Sequence, residues 1–220
     1  MSERWKLSLK RVFDKKERKS IEKIREIKRR GNLSLKTIYL VRHCEAEGQA
    51  PEAALTLRGS RQAENLANHF IDLDIKRIIT SPYVRAAQSI LPLAELVGIE
   101  AEEDERLKEW RLSVSPLVDW QSFLKQSFSN LDICYEGGES AREAMTRGIS
   151  VMRETLDAMG QGKAVIVTHG GLMTLMLKHF DDRVGFSEWA SLSNPDVFLL
   201  SFTKEGPYPQ IERMMGNIEN

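Results

Sequence analysis

The chain has little cysteine, no long apolar run and no net charge, and each shortage removes a class of protein. Two cysteines, Cys44 and Cys134, in 220 residues do not make a disulfide framework. No apolar stretch approaches the roughly 20 residues that a membrane-spanning helix needs. The N-terminus lacks the apolar core of a signal peptide. A cytoplasmic protein is the expectation that follows. Hydrophobic residues at 41% and charged residues at 29% are ordinary for a globular chain with a packed core. The length suits a single α/β unit, and no Ser/Gly-rich linker, low-complexity tract or internal repeat divides it.

The absent net charge conceals an asymmetry. Residues 1–36 hold 14 Lys and Arg against 5 Asp and Glu, a net of +9; the remaining 18 basic and 27 acidic residues give −9. Residues 1–35 therefore read as a charged, basic, helical extension, with a thin apolar stripe of Leu9, Phe13, Ile21, Ile24 and Ile27. Residues 36–220 read as the main domain. Three roles suit the extension: a solvated helix, a helix docked on the acidic body or on the second subunit of a homodimer, or an attachment to an anionic membrane or nucleic-acid surface. Five interrupting acids weaken the last, and no specific nucleic-acid recognition is expected.

What the chain does have is a repeated construction in which a short β-branched run ends in charge. Thr37–Val41 runs into Arg42-His43, Arg77–Thr80 into Ser81-Pro82 and then Arg85, and Ala164–Thr168 into His169-Gly170-Gly171. Such runs read as buried strands. Helical patterns separate them, at about 56–73, from Ser81-Pro82 to Val97, from Glu139 or Ser140 to Met159, and from Gly171 to Phe180. Thr56 suits an N-cap, Pro82 an early helical position, and Glu139-Ser140 a helix start. A short strand begins at Glu100-Ala101, and Val197–Thr203 makes a last one. Residues 106–138 read as loops with a short helix, with Trp110, Trp120 and Trp189 as core residues. The alternation predicts a three-layer α/β/α fold with a mostly parallel central sheet and helices on both faces. Ligands of such sheets bind at the carboxyl ends of the strands. Two histidines and two arginines placed there can converge on one small anionic group.

These segments resemble the histidine phosphatase superfamily, the phosphoglycerate mutase-like family. The resemblance rests on Arg42-His43, Leu55-Thr56-Leu57-Arg58-Gly59, Ser81 to Gln88, Arg106-Leu107-Lys108-Glu109, Gly137-Gly138-Glu139-Ser140 and Thr168 to Gly171, in family order. It implies that His43 is a nucleophile, transiently phosphorylated on a ring nitrogen, as a neutral imidazole near pH 7 can be. It implies that Arg42, Arg85 and His169 hold the phosphate without a metal or cofactor. Phosphoryl transfer needs charge neutralisation and positioning above all. Glu109 matches the proton donor that an alkoxide leaving group requires, and Gln49 aligns with a polar side chain that touches phosphate. The expected substrate is a small phosphorylated molecule.

Three functions remain open on the sequence: a metal-independent phosphatase of the compact branch, a phosphoglycerate mutase-type phosphotransferase, and a phospho-ligand binding protein on the same scaffold. The loop after His43 lacks the Arg-x-Gln-Gly stretch of many relatives, which argues for the compact phosphatase. Cys44 stands where the family usually has glycine. Either its small side chain is tolerated there, or the backbone keeps an ordinary φ; a separate reading gives the thiol beside two cations a lowered pKa and sensitivity to oxidation.

Overall fold

The computed structural model describes residues 36–204, 206 and 208–215. The helical extension expected over residues 1–35 and the roles suggested for it lie outside the described residues.

The sheet begins with β1 (Lys36–Arg42), the expected run with one residue added at each end. Successive side chains of a strand point to opposite faces. Ile38 and Leu40 accordingly join one core cluster, and Tyr39 and Val41 the other. The helix α1 (Leu57–Phe70) follows, capped by Thr56, whose Oγ1 accepts from Gly59 N at 2.9 Å. Its buried stripe of Ala63, Leu66, Ala67 and Phe70 is the periodic face read from the sequence. Truncating a buried leucine such as Leu66 to alanine costs about 2–5 kcal/mol.

The chain continues through β2 (Ile75–Thr80), α2 (Val84–Val97) and β3 (Ala101–Glu103) to a 3-10 turn at Glu105–Leu107. The helix α2 starts later than expected. Ser81 and Pro82 stay outside it and Tyr83 is its N-cap, because the Ser81 hydroxyl holds the turn open by accepting from Tyr83 N at 3.3 Å. At its other end Gly98 takes a φ of 69°, a left-handed stop that glycine adopts without strain. Then come α3 (Trp120–Ser129), α4 (Ala141–Ala158), β4 (Gly162–Thr168), α5 (Gly170–Lys178), α6 (Phe186–Ala190), β5 (Asp196–Phe202) and β6 (Gln210–Met215). The helix α4 opens with a reciprocal capping box between Ser140 and Glu143.

The strand order is β3-β2-β4-β1-β5-β6. The pairs β3–β2, β2–β4 and β4–β1 are parallel, whereas β5 is antiparallel to both β1 and β6. One face carries α1 and α2; the other carries α3, α4 and α5. The expected three-layer fold with a mostly parallel sheet is thus the observed one. The sequence reading missed α6, which is a single short turn, and β6, whose Gln-Ile-Glu-Arg-Met-Met has too weak an alternation to announce an edge strand. Trp110 is core, 7% exposed and edge-on to Phe128. Trp120 is not: it is 46% exposed and packs edge-on to Trp189. No described helix is long and apolar enough to cross a membrane.

Candidate active site

Register places the site. Arg42 of β1 pairs with Thr168 of β4, and Thr80 of β2 pairs with Val167, so three parallel strands end at nearly one level. His43 N and Ser81 N still reach across to Thr168 O and Val167 O, at 3.0 and 2.9 Å. The next residue of each exit therefore projects from the same edge. The rings of His43 and His169 stand 5.1 Å apart, close to the roughly 4.8 Å spacing of adjacent strands.

His43 is buried, and its ring has a fixed proton. Nδ1 lies 2.6 Å from Cys44 O. A carbonyl only accepts, so Nδ1 carries the hydrogen and Nε2 keeps its lone pair. Arg85 Nε donates to that Nε2 at 3.2 Å. Burial above all pushes the His43 pKa down to about 3; the Cys44 carbonyl opposes it, and the charges of Arg85 and then Arg42 add smaller downward effects. The imidazole is therefore neutral at ordinary pH.

His169 reaches neutrality by another route. Its Nε2 lies 2.8 Å from Ser81 Oγ. That hydroxyl also accepts from Tyr83 N; with one hydrogen and two lone pairs it can pair with either tautomer of the ring, and where it donates to Nε2 the His169 proton resides on Nδ1. Burial and then the neighbouring His43 and arginines lower its pKa well below the ordinary value. The Tyr83 ring packs edge-on against it at 4.9 Å.

Arg85 is 1% exposed. Its Nη1 donates to Gln49 O and Ala50 O at 3.1 and 2.8 Å, and its guanidinium lies 5.0 Å from the Tyr83 ring centre. Gln49 thus meets the site through its backbone carbonyl, while its side chain is exposed. Arg42 Nη1 donates to Leu192 O and Ser193 O at 3.1 and 3.2 Å. Two buried polar atoms of the cluster have no hydrogen-bond partner among the described residues: Arg42 Nε and His169 Nδ1. Arg42 Nε is an N–H donor suited to an anion, and so is His169 Nδ1 in the tautomer whose Nε2 accepts the Ser81 hydrogen.

Glu109 sits at the N-terminus of α5. Its Oε1 accepts from Trp110 N at 2.7 Å and Leu172 N at 3.0 Å; its Oε2 accepts from Gly171 N at 3.2 Å. Free amides at a helix N-terminus are natural partners for a carboxylate. The glycine pair makes the approach possible. A β-carbon at Gly171 would lie 2.8 Å from Glu109 Oε1, and one at Gly170 only 3.2 Å from Arg42 Nε. The Glu109 charge also supports the protonated forms of Arg42 and Arg85, against the burial that disfavours them. By contrast Glu45 turns to Thr56 and Arg58 at the surface.

Cys44 corrects one expectation. Among the described residues a positive φ at a non-glycine occurs only at Asp74, so Cys44 has an ordinary backbone in the place of a glycine. Its side chain is fully buried, and that burial pushes the thiol up to about 12. Against the oxidation-sensitive, low-pKa reading stands this burial, which outweighs the lowering effect of the hydrogen bond with Ser89.

The sequence reading also missed a platform under the site. Asn194 Nδ2 donates to His43 O at 2.7 Å. The buried Asp196 accepts from Ser193 N at 2.9 Å and from Arg213 Nε of β6 at 3.0 Å. The cluster Ser193-Asn194-Pro195-Asp196 was the available signal. It points to the site only once β5 is known to run antiparallel, with its first residue opposite Arg42. Among the described residues no group of three or more His, Cys, Asp or Glu side chains is arranged to hold a metal ion.

Fold and site define an α/β protein with paired histidines and arginines at adjoining strand ends. The chain belongs to the histidine phosphatase superfamily (branch 1), whose sequence pattern it matches over residues 38–214. It is 30% identical over 148 residues to the probable phosphoglycerate mutase GpmB of Serratia proteamaculans, covering 60% of this chain and 69% of that one. The Erwinia tasmaniensis protein of the same name is 29% identical over 149 residues, with the same shares covered. A mycobacterial glucosyl-3-phosphoglycerate phosphatase has a similar fold, with a TM-score of 0.66 at 19% identity over 84% of this chain and 100% of that one. So does a phosphoserine phosphatase mutant from Entamoeba histolytica, with a TM-score of 0.64 at 18% identity over 80% and 94%.

Proposed function

We propose that the protein is a metal-independent phosphatase that hydrolyses a phosphomonoester through a phosphohistidine on His43. One observation carries this reading. Two buried nitrogens without partners among the described residues, Arg42 Nε and His169 Nδ1, adjoin an imidazole whose Nε2 holds a lone pair, and this reading places a hydrogen on each. Arg42, Arg85 and His169 supply donors for a phosphate. The Nε2 lone pair of His43 attacks phosphorus, and the bond from phosphorus to the ester oxygen breaks. Glu109, in its acid form, gives that oxygen its proton. The Cys44 carbonyl keeps hold of Nδ1–H while the phosphorylated ring is positive. Glu109, now a carboxylate, takes a proton from water as the water oxygen attacks phosphorus. The N–P bond breaks, and phosphate leaves with His43 neutral again.

Hydrolysis of p-nitrophenyl phosphate in EDTA tests the proposal. The expected result is turnover by the intact protein, an acid-labile, alkali-stable phosphoenzyme, and no turnover by His43→Ala. Activity retained in His43→Ala overturns it. The names of the Serratia and Erwinia relatives favour a second reading, transfer of phosphate to a second hydroxyl of phosphoglycerate. The short loop after His43 supports hydrolysis instead. Phosphoglycerate isomerised without release of inorganic phosphate would establish the second reading. Tight binding of phosphorylated ligands without any turnover would instead mark a binding protein.

A further inference from the structure

Glu109 lies on an irregular segment, just after the 3-10 turn, yet a proton donor must be held in place: a displacement of about 1 Å at a reacting group can cost on the order of 100-fold in rate. Its carboxylate rests on α5, but its backbone is read from elsewhere. Arg147, inside α4, donates from Nη1 to Arg106 O at 2.6 Å and Lys108 O at 2.8 Å, and from Nη2 to Glu109 O at 3.4 Å. Glu139 fixes that guanidinium in a two-pronged pair, taking Nε at 2.9 Å and Nη2 at 2.5 Å. The same Glu139 grips the segment's far side. Its Oε1 accepts from Arg111 N at 3.3 Å, its own N donates to Arg111 O at 2.9 Å, and its O accepts from Trp110 Nε1 at 3.0 Å. The carbonyls of residues 106, 108 and 109 thus answer to the Arg147 side chain, and the Arg111 amide, the Arg111 carbonyl and the Trp110 ring answer to Glu139, through its carboxylate and its backbone. Both are largely covered, at 19% and 24% exposed. Gly138 closes the bracket, since a β-carbon there would lie 2.2 Å from Leu112 O.

We propose that Arg147, anchored by Glu139, is a positioning residue that holds Glu109 where it can protonate the leaving group. This rests on the phosphohistidine reading and on Glu109 as its acid. A guanidinium suits the task because its donors lie in one rigid plane, so a single side chain fixes several carbonyls and a carboxylate at once. The Gly-Gly-Glu-Ser run then has a divided role: the glycines admit the segment, Glu139 anchors Arg147, and Ser140 caps α4.

The test turns on the leaving group. When the P–O bond breaks, its electron pair needs a proton if the product is phenol, and needs none if it is 2,4-dinitrophenolate. The experiment compares kcat/KM for phenyl phosphate and 2,4-dinitrophenyl phosphate. Arg147→Met and Glu139→Gln are expected to lose about 30- to 100-fold on the first and less than about 3-fold on the second, within what general acid catalysis supplies. Arg147→Lys should recover part of the loss. In a Glu109→Gln background, Arg147→Met should add nothing further. Equal losses on both substrates, or a further loss in that background, overturn the proposal. Glu139→Gln is nearly isosteric and carries the same comparison if Arg147→Met does not fold. His43→Ala separates the two levels of the argument: activity retained there overturns the phosphohistidine reading itself, whereas uniform losses in the Arg147 variants overturn only the positioning role.

Discussion

His43 and His169 occupy the same place in adjacent strands and do different things. Each follows the last residue of a parallel strand, each is buried, and each is neutral. The difference lies in one hydrogen-bond partner. A backbone carbonyl holds the His43 Nδ1–H and leaves Nε2 as a base. A serine hydroxyl occupies the His169 Nε2 and leaves Nδ1 without a partner among the described residues, where the proposed reaction calls for an N–H donor. In the proposed reaction these equivalent backbone positions would serve as a nucleophile and an electrophilic clamp, with the neighbouring hydrogen-bond partner setting the difference.

The comparison can be broken most severely by removing one histidine at a time. His43→Ala is expected to lower turnover of p-nitrophenyl phosphate by about 10⁵-fold, the scale of losing a covalent nucleophile. His169→Ala, which removes a donor and not the attacking atom, should lose about 10²- to 10³-fold and still form a phosphoenzyme that acid quenching can trap. A His169 loss as deep as that of His43 would erase the distinction.

A finer test alters only the partner. Ser81→Ala leaves the His169 proton free to move to either nitrogen. It should cost about 10-fold in kcat/KM, since one buried hydrogen bond is worth about 1–3 kcal/mol when a partner is left unsatisfied.

Acid stability sharpens the similarity of the two rings. The pKa of His43 falls from 6.5 unfolded to about 3 folded, and that of His169 also falls. Between those values the unfolded chain binds more protons than the folded one, so stability is complete above about pH 6.5 and is lost as pH falls toward 3. His43 contributes about 1.4 kcal/mol per pH unit in that window, and His169 adds a slope of the same sign below its ordinary pKa. Thermal melts from pH 7 to 4 should show a steeper decline for the intact protein than for His169→Gln. Equal slopes would contradict the burial argument. The smallest effect concerns Cys44: a thiol reagent should titrate one cysteine, Cys134, in the folded protein and two after unfolding.

Much of this was legible in the sequence. The alternating strands and helices, the caps at Thr56 and Ser140, and the strand-end residues all depend on local pattern, which a single sequence carries. The Gly-Gly pair after His169 was legible as a motif but not as a mechanism. Its need for bare α-carbons appears only when Arg42 and Glu109 are seen against it. Arg147 looked like any helical arginine, because its partners lie between 8 and 41 residues away in sequence. Asp196 and Arg213 were hidden for a related reason. An ion pair between a buried aspartate on one strand and an exposed arginine on its edge neighbour leaves no periodic trace, and β6 itself was too weakly patterned to be expected.

The reversed direction of β5 has a mechanical consequence. The strands bearing the histidines deliver their ends to the site, whereas β5 starts there, so the peptide just before it forms the floor on which Arg42 and the His43 carbonyl rest. Through Asp196 that floor is bolted to Arg213, in the last strand described. The C-terminal hairpin is therefore a foundation of the site and not a trailing edge. A break near the end of the chain would be felt at its first histidine.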